Sequence, residues 1–373
     1  MNINSLRYQR KNWGWLFLSL ALFLCYLYYG FLYVFVTPYP GLAIVTSTDG
    51  WLVTDSQQPD IDFGDVIVRV GDLDINTYRQ DWSQTTFLGY APGERVPLVL
   101  AGQDAVVQIV MPEASLSDKI LRVVNVSGWF LPFWLVGTVI ILFLRPKDVR
   151  WRLLILTMYQ ICVWTTTNVL ALWQLGAARL LYGMSSYLLA GVVIHLHLAA
   201  PQKIEQRWVN WAIKINYGVV VLLFVLELFR IPPRSTPVYA VMVGLLISFA
   251  LLITRLVRPR NAAERTSTRL MLAGIIFGFG PGIVVQVLTN TIGISLSSSV
   301  GYVIAVIALP ALPIFYLYAI FKRQLGGLEL RANRLLSVYS FLLLYPPFFL
   351  VLILIGQQMI ATSNGRTAYL LLV

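Results

Sequence analysis

Long apolar runs separated by short polar segments occupy most of this chain. The first run covers residues 13–36 and follows Arg7, Arg10 and Lys11, and a polar stretch, residues 37–122, comes next. A helix needs about 20 mostly apolar residues to cross a bilayer. Eight further apolar runs of comparable length follow the polar stretch: 127–144, 151–172, 179–199, 211–229, 237–256, 269–289, 299–321 and 336–357. The pattern predicts nine spanning helices, and the apolar residues 368–373 indicate the start of a truncated tenth.

The first apolar run is predicted to be a retained signal anchor. It is too long for the apolar part of a cleaved signal peptide, and residues 35–38 offer no small-x-small cleavage site. We therefore expect a polytopic, all-α membrane protein with a small β-rich domain inserted between spans 1 and 2. The predicted divisions are the N-terminus with the anchor (1–36), an extracytoplasmic domain (37–122), an eight-helix bundle (123–357), and an outer loop with the start of a further span (358–373).

The polar stretch contains short alternating apolar runs bounded by Gly, Asp and Pro, which is typical of a small β domain. Residues 65–70 are predicted to form a strand, Gly71-Asp72 a two-residue turn, and residues 77–88 a short helix with Tyr78 and Trp82 near one face. Residues 96–100 and 105–111 are predicted to form the last hairpin.

Composition supports the membrane assignment and excludes several classes of protein. Hydrophobic residues make up 58% of the chain and charged residues 12%, whereas an ordinary soluble domain carries about 25% charged residues. A soluble enzyme, a disordered tail and a disulfide-stapled secreted domain are therefore excluded. The two cysteines, Cys25 and Cys162, lie inside apolar runs and have no spacing suited to zinc.

The net charge of +11 is divided unevenly. Residues 41–115 hold 11 of the 17 acidic residues and three arginines, a net of −8 that leaves +19 for the rest of the chain. With the N-terminus in the cytoplasm, 18 of the 28 Lys and Arg residues fall on the cytoplasmic side, whereas the opposite short loops hold only Arg179, Arg230, Arg234 and Arg366. The positive-inside rule therefore places residues 37–122 outside. The net positive charge is therefore explained by the membrane topology and by contact with an anionic lipid leaflet, and nucleic acid is not expected as a partner.

The spans carry few residues suited to catalysis. His195 and His197 lie about 200° apart around a helix and lack an intervening Glu, so they do not form a metalloprotease zinc pair. Glu227 is the one acidic residue inside a predicted span, and its place near the outer end, close to Arg230, predicts that it snorkels. No catalytic domain, metal site or cofactor site is identified, which leaves the enzyme question open. An intramembrane protease and a transporter remain alternatives.

Two segments of the polar stretch resemble the PDZ family. Gly64-Asp65-Val66-Ile67 with Val70-Gly71 is similar to the G-D-x-I-x-x-V-x-G core, and Pro92-Gly93-Glu94 with Val96-Pro97-Leu98 matches the late P-G-x-x-V-x-L strand. In that family a peptide carboxylate is held by a glycine-rich loop while the peptide adds as a strand. The resemblance implies a peptide site at Gly41, Leu42, Ala43 and Ile44, with Tyr78 and Trp82 from the predicted helix. A structural or dimerising role for the domain is the alternative.

Two segments at predicted inner helix ends resemble bacterial sensor histidine kinases with many-helix membrane domains, including the competence quorum-sensing type. Residues 193–201 (VIHLHLAAP) are similar to L-H-F-x-L-x-F-P, and residues 318–325 (YAIFKRQL) with 332–339 (ANRLLSVY) are similar to Y-A-I-x-[KR]-x-x-L followed by I-N-R-x-L-x-Y. The resemblance implies the sensing module of a two-component receptor in the bacterial cytoplasmic membrane, with its output domain outside this chain. It implies inner-face coupling through His195, Arg323, Asn333 and Arg334.

The expected partners follow from these two resemblances. They are the lipid bilayer, a peptide or a small apolar ligand, and a second copy of the chain in a homodimer. A membrane-anchored PDZ-like scaffold is the main alternative to a receptor, ahead of the transporter and the protease.

Overall fold

Residues 42–110 fold into an antiparallel sheet with one short helix, here called the β domain. The computed structural model describes residues 3–103, 105–143, 148–204, 206–291 and 308–325. The elements are β1 (Leu42–Thr46), β2 (Trp51–Ser56), β3 (Val66–Val70), β4 (Leu73–Asp74), helix α2 (Ile75–Gln80), β5 (Arg95–Leu100) and β6 (Val106–Val110). The strands run in the order β1-β2-β3-β5-β6, with β4 paired to β3.

Helix α2 is shorter than the predicted helix at 77–88. It starts two residues earlier and ends at Gln80 because the chain then enters a series of turns. The Asp81 carboxylate accepts hydrogen bonds from the Ser83 amide (2.9 Å) and the Gln84 side chain (2.9 Å), which offer the backbone an alternative to further helix. Phe87 has a φ of +60°, a left-handed conformation that a continuous helix cannot contain.

Both ends of the β domain meet at one point, as an insertion between two antiparallel helices requires. The Gln58 amide donates to the carbonyl oxygens of Pro40 (2.9 Å) and Val110 (3.0 Å), one on the way into the domain and one at the end of β6. Arg122 donates to the carbonyl oxygens of Tyr33 (2.8 Å) and Pro38 (2.8 Å), which lie at and beyond the end of the first span. The entry and exit of the domain are therefore tied together.

Long apolar helices flank the β domain in the sequence. Helix α1 covers Ile3–Phe31 and continues as a short π-helix, Leu32–Val36. After the domain come α3 (Leu116–Phe143), α4 (Val149–Ala171), α5 (Ala178–Ala199), α6 (Arg207–Leu228) and α7 (Thr236–Val257). Helix α5 packs against α4, α6 and α7, so it lies at the centre of this group.

The chain divides after Thr268 into two compact units. The first contains the β domain and helices α1 and α3–α7. Helix α8 (Ala262–Thr291) begins in the first unit and continues into the second, which also contains α9 (Ala311–Leu325). Within the second unit, a Cβ added at Gly278 would lie 3.0 Å from the Leu312 Cβ, so α8 and α9 approach closely there.

The described residues contain six helices long and apolar enough to cross a membrane, which supports a multi-pass membrane protein. They agree with the first six predicted spans except that α3 begins at Leu116, not at 127. Residues 116–122, assigned above to the extracytoplasmic domain, therefore lie in a helix. Predicted span 269–289 falls within α8, and span 299–321 is described only from residue 308 onward. Span 336–357 and the start of a tenth lie outside the described residues.

Candidate functional site

The C-terminal end of α2 contacts the helical bundle through its backbone. A helix leaves its last four carbonyl groups without partners in the helix. The amide of Asp81 binds the first of these in α2, the carbonyl of Thr77 (2.9 Å). The other three, on Tyr78, Arg79 and Gln80, accept hydrogen bonds from side chains of the bundle.

Arg234 supplies two of these hydrogen bonds. It lies in the loop between α6 and α7, and its Nη2 donates to the carbonyl oxygens of Tyr78 (2.7 Å) and Arg79 (3.0 Å). The guanidinium also lies 4.5 Å from the centre of the Tyr78 ring. A cation at a helix C-terminus is favourable because it opposes the helix dipole. Burial lowers the pKa of Arg234 from its ordinary value, whereas Tyr78 opposes that shift.

Gln174 and Arg230 complete the cap of α2. The Gln174 amide, in the loop between α4 and α5, donates to the carbonyl of Tyr78 (3.0 Å) and is buried. Arg230 Nη1 donates to the carbonyl of Gln80 over a longer 3.3 Å at an exposed position. Two separate loops of the bundle therefore hold the same helix end.

The β domain in turn binds carbonyl groups at the end of α4. The Tyr78 hydroxyl donates to the carbonyl of Leu172 (2.5 Å), and the Thr85 hydroxyl donates to the carbonyl of Trp173 (2.6 Å). Trp173 itself belongs to the same hydrophobic core as Trp51 of the β domain. Because a core is shared and the hydrogen bonds run in both directions, the β domain is firmly docked on this end of the bundle.

An ion pair is buried next to the docking surface, the region where α2 meets the α4–α5 and α6–α7 loops. Arg179 of α5 and Glu227 of α6 lie 3.6 Å apart, and their side chains are 6% and 1% exposed. The Tyr187 hydroxyl donates to the Glu227 carboxylate (2.7 Å), and Arg179 Nη2 donates to the carbonyl of Arg234 (3.2 Å). The prediction that Glu227 snorkels is wrong, because Arg179 offers it a charge partner inside the bundle. Gly183 leaves space for the Glu227 carboxylate, because a Cβ at this position would lie only 2.4 Å from one of its oxygens.

Helix α7 is held at its other end by a second buried arginine. Arg255, in the last turn of α7, donates to the carbonyl oxygens of Leu198 (3.0 Å) and Gln202 (2.9 Å), which lie at and beyond the end of α5. It also pairs with Glu264 at the start of α8, with 3.1 Å between Nη1 and Oε1. The 22 residues of α7 span about 33 Å at 1.5 Å per residue. One helix therefore joins the docking surface to the opposite end of α5.

Close backbone approach joins α5 and α7 between these two ends. A Cβ added at Gly244 of α7 would lie 2.8 Å from both the Cα and the Cβ of Ala190. Small residues on both helices allow this approach, which is a common way for membrane helices to pack.

The predicted peptide-site residues fall into two groups in the structure. Gly41 precedes β1 with a φ of +68°, and in β1, an edge strand of the sheet, Leu42 and Ile44 are buried whereas Ala43 is exposed. Tyr78 is fully buried. The guanidinium carbons of Arg179 and Arg230 lie over the Trp82 ring, 5.4 and 5.1 Å from its centre. Tyr78 and Trp82 thus contact the bundle, and the peptide-binding role of the six residues stays a prediction.

The predicted inner-face coupling residues are only partly described. His195 is half-buried on α5, and its Nδ1 lies 3.1 Å from the Tyr217 hydroxyl. Arg323 lies in α9, its side chain is not described, and Asn333 and Arg334 lie outside the described residues. Their coupling role stays a prediction.

Sequence reasoning missed Gln174, Arg234, Arg255 and Glu264 as contact residues. The sequence did carry a signal for Arg234. The short loops predicted to be poor in charge hold only four basic residues, and three of these are Arg179, Arg230 and Arg234. All three lie at the docking surface. Basic residues that depart from the positive-inside bias thus mark the site.

The described residues contain no group of three or more His, Cys, Asp or Glu side chains placed to hold a metal ion. No protein-family model, curated protein or solved structure matches this chain.

Proposed function

We propose that this chain is the membrane-embedded sensing and transducing module of a two-component sensor histidine kinase. The observation that supports it most is that α7 is attached at both ends: Arg234, in the loop before it, binds the β domain, and Arg255, in its last turn, binds the end of α5 and the start of α8. A receptor needs such a connection between a ligand-receiving domain and the opposite end of its bundle.

The proposed mechanism is a change in helix packing that the β domain controls. A ligand shifts an equilibrium between two packings only if it binds one of them more tightly. A ligand that moves α2 changes the cap formed by Arg234, and through the carbonyl of Arg234 it also changes the environment of Arg179 on α5. Helices α5 and α7 then move relative to each other, and Arg255 carries that movement to the start of α8.

The proposed topology places the β domain outside a bacterial cytoplasmic membrane and the N-terminus inside. The support is the distribution of basic residues, 18 of 28 on the proposed inner side. The proposed ligand is a peptide at residues 41–44 of β1 or an apolar molecule between the helices. Inner-face coupling through His195, Arg323, Asn333 and Arg334 belongs to the same proposal.

Spin labels can test the coupling without knowledge of the ligand. Cys25 and Cys162 are replaced by Ala, labels are attached at the exposed positions Gln206 and Arg258 near the far ends of α6 and α7, and the chain is placed in lipid nanodiscs. We expect Arg234→Gln to shift or broaden the distance distribution between the labels. The matched control is Arg95→Gln, an exposed arginine of β5 that should leave the distribution unchanged. An unchanged distribution in R234Q would contradict transmission and favour the membrane-anchored scaffold.

The kinase assignment has a separate test in the gene. We expect the reading frame beyond codon 373 to encode a further span, a phospho-acceptor helix and an ATP-binding domain. A nucleotide cyclase or phosphatase there would retain the sensor but reject the kinase. A stop codon there would count against a receptor.

A further inference from the structure

A cavity of about 260 Å³ lies at the end of the bundle opposite the β domain. It is formed by the start of α4, the end of α5, the loop that follows, and the start of α6. Its basic side chains are Arg150, His195 and Lys203, its carboxylate is Asp148, and apolar side chains that include Val209 and Ile213 form the rest of the lining. A cation beside an apolar surface suits a molecule with an anionic head and an apolar tail.

Two of the three basic groups of the cavity, Arg150 and His195, are held in place by their neighbours. Arg150 pairs with Asp148 at 2.6 Å and donates from Nη1 to the carbonyl of Pro201 (3.1 Å). The ring of His195 is fixed by the Tyr217 hydroxyl, 3.1 Å from Nδ1. Because Asp148 balances the charge of Arg150, Lys203 supplies the net positive charge among the lining residues.

We propose that this cavity binds an anionic glycerophospholipid, with Lys203 and Arg150 at the phosphate and an acyl chain along Val209 and Ile213. Basic pockets between membrane helices are suited to such headgroups. The apolar lining favours a lipid over a soluble phosphate, which would leave that surface exposed to water. The inference does not depend on the signalling proposal.

A lipid bound here would contact the loop between α5 and α6, whose backbone also binds arginines at and after the C-terminal end of α7. The carbonyl of Lys203 accepts a hydrogen bond from Arg260 (3.1 Å), and the carbonyl of Gln202 accepts one from Arg255 (2.9 Å). A bound lipid would therefore lie against the same loop that Arg255 and Arg260 bind.

The test is lipid binding to the purified, detergent-solubilised full chain, measured by native mass spectrometry. The probes are dioctanoyl phosphatidylglycerol, dioctanoyl phosphatidylcholine and glycerol phosphate. We expect phosphatidylglycerol to bind most tightly and Lys203→Gln to weaken it about fivefold, the effect of removing about one basic residue near an anionic headgroup. Lys203→Arg should retain binding because it keeps the charge.

The matched control is Lys214→Gln, which also removes one positive charge. Lys214 belongs to α6, lies over the Trp211 ring and does not line the cavity. K214Q should bind phosphatidylglycerol as the unchanged chain does. Equal losses in K203Q and K214Q would overturn the proposal, because they would indicate non-specific attraction. Glycerol phosphate binding as tightly as phosphatidylglycerol would also overturn it, in favour of a soluble anion site.

Discussion

The Nη2 atom of Arg234 lies 2.7 Å from the carbonyl oxygen of Tyr78, so a loop of the helical bundle closes the end of a helix in the β domain. The Tyr78 hydroxyl reaches back to the carbonyl of Leu172 at the end of α4. Each part of the molecule thus completes a helix end of the other. Separation of the two parts would leave unpaired polar groups on both sides, which favours the docked arrangement of the β domain.

Arg234→Gln is expected to loosen the β domain from the bundle. It removes two hydrogen bonds from a partly buried cation, and hydrogen bonds to charged groups contribute about 1.5–3 kcal/mol each. Hydrogen exchange measured by mass spectrometry should become faster in α2 and in residues 81–90. The exposed Arg95→Gln variant should exchange at the original rates, and equal rates in R234Q would show that the cap does not hold the domain.

Removal of one partner of the Arg179–Glu227 pair is expected to cost more than removal of both. A buried charge left alone costs about 3–5 kcal/mol, whereas loss of the whole pair can be nearly neutral. Arg179→Met and Glu227→Gln should each lower the thermal unfolding midpoint of the detergent-solubilised chain. The R179M/E227Q double variant should unfold at a higher temperature than either single variant. Strictly additive losses would contradict the pairing.

Gly244→Ala is expected to destabilise the bundle because its new Cβ would lie 2.8 Å from backbone and side-chain atoms of Ala190. Overpacking of this kind costs about 1–3 kcal/mol. Gly218 of α6 offers a matched control, because an added Cβ there meets nothing within 4 Å. Gly218→Ala should leave the unfolding midpoint unchanged or raise it, since Ala favours a helix by about 1 kcal/mol over Gly. Similar effects at the two glycines would contradict close α5–α7 packing.

The turn after α2 is expected to weaken in acid. The pKa of Asp81 is lowered from 3.8 to about 2, chiefly by the hydrogen bond from the Gln84 side chain. Because the folded pKa lies below the unfolded one, the Asp81 carboxylate stabilises the fold above pH 3.8, and this contribution is lost as the pH falls toward 2. The difference in unfolding midpoint between the unchanged chain and Asp81→Asn should therefore shrink over that interval.

Gln84→Ala serves as the control for that pH dependence. It removes the main cause of the lowered pKa, so the total loss of stability in acid should be smaller and should be complete at a higher pH. A difference between the unchanged chain and D81N that stays constant from pH 5 down to pH 2 would contradict the assignment.

Local sequence was sufficient to locate the six spans of the described residues and the β domain. Length and hydropathy alone place six helices where the structure has them, with most of their ends within a few residues, because a bilayer requires long apolar segments. The largest error is the start of α3 at Leu116, where residues 116–126 are too polar to count as a span yet continue the same helix. The turn residues likewise located the β3–β4 hairpin at Gly71, whose φ is +58°.

The tertiary structure alone decided the candidate site. Its contacts join residues far apart in the chain, such as Tyr78 with Arg234 and Arg255 with Leu198, and they end on backbone carbonyls, which every residue carries. No sequence pattern marks which carbonyl a distant arginine will reach. The sequence determined the helices, their hydropathy and the unusual arginines on the charge-poor side. Packing determined which helix ends those arginines complete, because that depends on how the β domain sits on the bundle.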